Sequence, residues 1–132
     1  MNENKENRNS RSPTFPRSEK PEYCIIDLDG NVLLDGSSQL FRESLELVKK
    51  VYGRPLILNF SPEVRFDSSG LATLLGFVDK NQSIQVAICG ENEDVGRLFG
   101  YFVDMKKYTQ FRFYKTMDDA LKECHTKLTT FA

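Results

Sequence analysis

The stretch Leu56–Lys80, LILNFSPEVRFDSSGLATLLGFVDK, constrains the fold more than any other part of the chain. Leu56-Ile57-Leu58-Asn59-Phe60 is an apolar, partly β-branched run, long enough for a buried strand and too short for a helix. Ser61-Pro62-Glu63 breaks it, and beyond Val64-Arg65-Phe66 the residues Leu71, Leu74, Leu75 and Val78 recur at helical spacing. A strand therefore ends, a loop turns, and a helix begins at Asp67-Ser68-Ser69-Gly70. The first turn of a helix leaves backbone N–H groups without intrahelical partners, and Asp, Ser and Gly satisfy or tolerate that position. The same N–H groups, at the positive end of the helix dipole, favour an anion. A hydroxyl held there is exposed and sits where a phosphate can be accommodated, although an ordinary helix cap has the same composition.

The rest of the chain alternates strands and helices around this stretch. Tyr23–Leu28 is predicted as a first strand, and Asp29-Gly30-Asn31 as a turn leading into Val32-Leu33-Leu34, the second strand of an antiparallel hairpin. Asp35-Gly36-Ser37-Ser38 starts a helix carrying Leu40, Phe41, Leu45, Val48 and Val51 on one face, closed by Tyr52-Gly53. Ile84–Gly90 is a buried strand, and Glu91–Asp94 caps a helix with Val95, Leu98, Phe99 and Phe102 on one face. Phe111–Tyr114 is a short strand, and Thr116 begins the last helix. Strand–helix alternation gives an α/β class with parallel pairing for the later strands. The expected architecture is a mixed four- to five-stranded sheet with about four helices packed on one face. Most of the ten phenylalanines fall at core spacing and read as packing.

With 132 residues, 39% of them hydrophobic and 28% charged, the chain is the size of one globular domain. Residues 1–20, rich in Asn, Glu, Arg, Lys, Ser and Pro, are expected to be a disordered tail, with the domain over 21–132. A net charge of −1 argues against general nucleic-acid binding, and no apolar run approaches membrane-spanning length. Cys24, Cys89 and Cys124 are three in number and widely spaced, which points to reduced thiols and a cytoplasmic location, and the apolar runs around Cys24 and Cys89 mark those two as small core residues. No metal-ligand spacing and no Gly-rich phosphate loop is present. The single histidine, His125, follows Cys124 directly, and neither a catalytic pair nor a metal site follows from that adjacency.

Phe66-Asp67-Ser68-Ser69-Gly70-Leu71, followed by Ala72-Thr73-Leu74-Leu75-Gly76, resembles the central motif of STAS domains, in particular bacterial anti-sigma factor antagonists. Gly96-Arg97-Leu98-Phe99 and Thr116-Met117-Asp118-Asp119-Ala120-Leu121 are similar to later segments of that family, so the resemblance spans about residues 22–130. One departure is Gly30-Asn31-Val32-Leu33-Leu34-Asp35, where the family has Gly-Glu-Leu/Ile-Asp; the displaced Asp35 inherits no role. The resemblance implies a switch and no catalytic residue or cofactor of this chain's own. The unmodified protein binds an anti-sigma factor with serine-kinase activity and frees a sigma factor. That partner, which binds the ATP, phosphorylates the serine and is released, and a phosphatase resets the cycle. The residue following Asp67 is the acceptor by position, hence Ser68, with Ser69 the alternative and otherwise the helix cap. Asp67, Ser68, Ser69, Gly70, Leu71 and Thr73 form the partner-binding surface in this reading. Two other classes stay open: a STAS scaffold or transporter-associated module that is never phosphorylated, and a small enzyme using Asp67 with the serines or Cys124-His125.

Overall fold

The structure is a computed structural model that describes residues 15–48 and 54–131, with side chains as far as residue 124. Val51, Tyr52 and Gly53, expected to close the first helix, and residues 1–14 of the expected tail lie outside the described residues, as does the side chain of His125. In chain order the elements are β1 (Arg17–Glu19), β2 (Cys24–Leu28), β3 (Leu33–Leu34), α1 (Gln39–Val48), β4 (Leu56–Phe60) and β5 (Arg65–Phe66). They continue with α2 (Ser68–Lys80), β6 (Val86–Cys89), α3 (Glu93–Phe102), β7 (Phe111–Tyr114) and α4 (Met117–Phe131). Five strands form one sheet in the order β1-β2-β4-β6-β7, and β3 with β5 forms a second, small sheet. β2, β4, β6 and β7 run parallel and β1 antiparallel, so the expected mixed α/β sheet is present, with four helices among the described residues.

Strand β4 lies at the centre because it is apolar on both sides. Leu56, Leu58 and Phe60 enter the larger core, with Phe41, Leu45, Leu74, Val78, Leu98 and Phe99 from α1, α2 and α3. Ile57, one residue out of phase, enters a second core with Ala87, Cys89, Ala120 and Cys124. Because strand side chains alternate between faces, α4 packs on the opposite side of the sheet from the other three helices. The expectation of four helices on one face is corrected here: the unbroken apolar runs of β4 and β6 need cover on both faces. Cys24 and Cys89 are buried, as expected of core thiols, Cys124 is buried as well, and burial pushes the Cys89 thiol up to about 11.

Three further expectations change. The antiparallel hairpin of residues 23–34 does not form: β1 and β4 already occupy the two edges of β2, and β3 instead pairs parallel with β5, Leu33 opposite Arg65 and Leu34 opposite Phe66. The turn itself is real, with Gly30 at φ 89°. The polar leader ends earlier than residue 20. Phe15 is buried in the main core, its N–H donates to Ser44 Oγ at 3.0 Å, and Arg17–Glu19 adds the edge strand β1. All three β1 side chains are exposed, so the strand is held by backbone bonds that composition does not reveal. Phe102, expected on the buried face of α3, is 65% exposed at its last turn.

Candidate functional site

Helix α2 starts where the sequence placed it, but its cap is Asp67 rather than Ser69. Asp67 has extended backbone, φ −119° and ψ −179°, and its Oδ1 accepts from the N–H groups of Ser69 and Gly70, both at 3.0 Å. The Ser69 hydroxyl donates to the same oxygen at 2.8 Å and accepts from the Gly36 N–H at 2.7 Å. The Ser69 hydroxyl thus both donates and accepts inside the protein. Ser68 is exposed, and its hydroxyl bonds no described residue. The two adjacent serines are thus separated by geometry: one is structural, one is free.

The loop is braced from two sides. Strand β3 lies against the first turn of α2, with Leu34 O accepting from Asp67 N at 3.4 Å. A Cβ on Gly70 would stand 2.0 Å from Leu34 O, so only glycine allows this approach. From the other side comes the start of α3. Its cap Asn92 is buried, and the amide Nδ2 donates to Ser61 O and Val64 O, both at 2.8 Å, while Oδ1 accepts from Val95 N. Asp94 Oδ2 accepts from Phe66 N at 2.9 Å and from Arg65 Nε at 3.2 Å. The Phe66 N–H chiefly holds the Asp94 carboxyl below its usual range, with Arg97 and Arg65 adding to it against the effect of burial. Phe66 then anchors the loop in the core, edge-on to Phe60 and Phe41.

Leu71 and Gly70 are buried, so they seat the helix, whereas Asp67, Ser68 and Ser69 are exposed and Thr73 is half-buried. Thr73 lines a shallow cleft of about 260 Å³ between α1 and α2, together with Arg42, Ala72 and Gly76. The bracing residues Asn92 and Asp94, and the contact from Gly36, were not singled out in the sequence. The Glu91–Asp94 segment carried the signal of a helix start, but its long-range partners follow only from the parallel sheet.

The Asp67 carboxyl is held below its usual range, first by the Gly70 N–H, then by the Ser69 hydroxyl, partly opposed by burial. A carboxylate engaged by three donors is a weak proton acceptor at neutral pH, so it holds the loop rather than activating a neighbour. Because its folded value is depressed, its contribution to stability is complete above the unfolded value near 3.8 and is lost as pH falls through the folded one. Asp67→Asn keeps an effective cap without the charge. Its acid unfolding curve below about pH 4 is expected to be flatter than that of the wild type, by no more than the ~1 kcal/mol of an exposed cap. Parallel curves would show that the charge contributes nothing.

A family model for the STAS domain matches residues 15–120, from the buried Phe15 to Ala120 on α4. The chain belongs to the STAS domain family. The crystal structure of a candidate anti-sigma factor antagonist from Thermotoga maritima superposes with a TM-score of 0.61 at 19% identity, covering 84% of this chain and 94% of that one. That likeness is one of fold. No curated protein matches the chain. Among the described residues of this STAS domain, no helix is long and apolar enough to cross a membrane, and no His, Cys, Asp and Glu cluster could hold a metal ion.

Proposed function

We propose that this STAS domain is an anti-sigma factor antagonist controlled by phosphorylation of Ser68. The observation that carries the reading is the inequality of the two serines: Ser68 is exposed with a free hydroxyl, while Ser69 is spent on Asp67 and Gly36. Membership of the STAS family and the fold likeness to a candidate antagonist support the general role. In the cycle, the unmodified protein binds an anti-sigma factor that carries ATP. The Ser68 Oγ takes the γ-phosphoryl group, the bond from that phosphorus to the β-phosphate bridging oxygen breaks, ADP leaves, and the hydroxyl proton passes to a base of the partner. The modified protein dissociates, and a phosphatase restores it by hydrolysis. Asp67, Ser69 and Thr73 flank the acceptor on the same surface, and Gly70 and Leu71 fix its position from beneath.

The test is mass spectrometry after incubation with ATP and the kinase partner from the same organism. Modification is expected in the wild type and in Ser69→Ala, and not in Ser68→Ala. Equal labelling of both variants, or no labelling of the wild type, overturns the assignment.

A further inference from the structure

Arg42 reaches the loop that braces the serine pair. Its Nη2 donates to Gly36 O at 2.6 Å, and the N–H of that same residue donates to Ser69 Oγ at 2.7 Å. Gly36 thus carries one link from the guanidinium to the acceptor loop. Among the described residues, Arg42 forms no ion pair, unlike Arg17, Arg54, Arg65 and Arg97. It also lines the α1–α2 cleft with Ala72 and Thr73. Ala72 lies four residues after Ser68 and therefore one turn along the same face of α2. Through Gly36, Arg42 thus reaches the residue next to Ser68.

We propose that Arg42 is the receiving group for the phosphoryl moiety on Ser68, exchanging its bond to the neutral Gly36 carbonyl for a charge-assisted pair with the phosphate. This rests on the reading of Ser68 as the modified residue. The exchange is favourable in kind, because guanidinium–phosphate bonds are shorter and stronger than those to a neutral carbonyl and can be bidentate. The other charges near the phosphate are the carboxylates of Asp67 and Asp35, which repel it, and Glu46 and Lys80 further along the cleft. Without a cation, two added negative charges beside Asp67 would strain the cap; with Arg42 they are partly neutralised and the free modified protein keeps its fold. Losing the Arg42 bond also frees the Gly36 carbonyl, while its N–H stays on Ser69 Oγ, so the loop of residues 35–37 is expected to shift on modification.

The experiment uses full-length protein with phosphoserine incorporated at position 68 during translation, so no kinase is needed. The ³¹P resonance is titrated in the wild type, Arg42→Ala and Arg42→Lys, with circular dichroism confirming the fold of each. A phosphoserine free in solution has its second pKa near ~6. The wild-type value is expected to lie about half a unit or more below that of Arg42→Ala, with Arg42→Lys between them. Coincident titrations of the wild type and Arg42→Ala overturn the proposal. Its failure differs from failure of the Ser68 reading, which appears instead as absent kinase labelling at residue 68.

Discussion

Gly70→Ala is expected to destabilise the domain by about 3 kcal/mol, at or beyond the upper end of ordinary overpacking. The added methyl would lie 2.0 Å from Leu34 O, 2.8 Å from Leu34 C and 3.3 Å from Asp35 Cα. All three are backbone atoms, so no rotamer change relieves the clash. Either β3 separates from α2, or the first turn of the helix tilts away from its cap. In a chain of 132 residues that loss lowers the thermal midpoint by about 10 °C. Gly76→Ala, six residues further along the same helix, is the internal control: nothing lies within 4 Å of its added Cβ. There the exchange is expected to raise stability by about 0.5–1 kcal/mol, since Ala is the better helix former. Opposite signs in thermal or chemical unfolding check the pair. A Gly70→Ala midpoint within a degree or two of the wild type would show that β3 does not bear on the site.

How much of this was legible in the sequence follows from which interactions are local. The β4–loop–α2 stretch was readable because strand length, cap composition and helical spacing are all properties of contiguous residues, and the structure keeps each of them. The choice between Asp67 and Ser69 as cap was not, since it turns on which side-chain oxygen meets the N–H groups of Ser69 and Gly70. Strand β1 was hidden because Arg17, Ser18 and Glu19 are all exposed, and only pairing with Cys24–Ile26 makes them a strand. β3 and β5 were misread or unread for a related reason. Two-residue strands carry no periodicity, and their partners lie 32 residues apart in sequence, Leu33 to Arg65 and Leu34 to Phe66. The position of α4 was underdetermined as well, because an alternation signal is lost in strands that are apolar on both faces. The position of Arg42 belongs to the same category: its link to Ser69 becomes visible only when the loop of Gly36 is seen against that hydroxyl.

In the proposed cycle, a charge placed at position 68 is expected to release the proposed kinase partner. The surface around Ser68 presents a neutral hydroxyl next to the ionised Asp67, so a partner seated on both would have to accept a second anion beside the first. Phosphorylation adds about −1.5 to −2 charges and three acceptor oxygens, which must be desolvated beside Asp67 if contact is kept. A penalty of roughly 4 kcal/mol corresponds to a thousandfold weaker complex. Ser68→Asp carries about half that charge and is expected to weaken binding roughly thirtyfold, with encoded phosphoserine reaching the full effect. Ser68→Ala should bind the partner within about twofold of the wild type, because its hydroxyl holds nothing in the free protein. Ser69→Ala separates fold from interface. It leaves the Gly36 N–H without its acceptor and costs about 1 kcal/mol of stability, with little direct effect on affinity. Calorimetric titration of the co-purifying partner with these variants is the measurement. If Ser68→Asp and Ser68→Ala bind alike, charge at this hydroxyl does not govern the association, and the antagonist cycle fails at its central step.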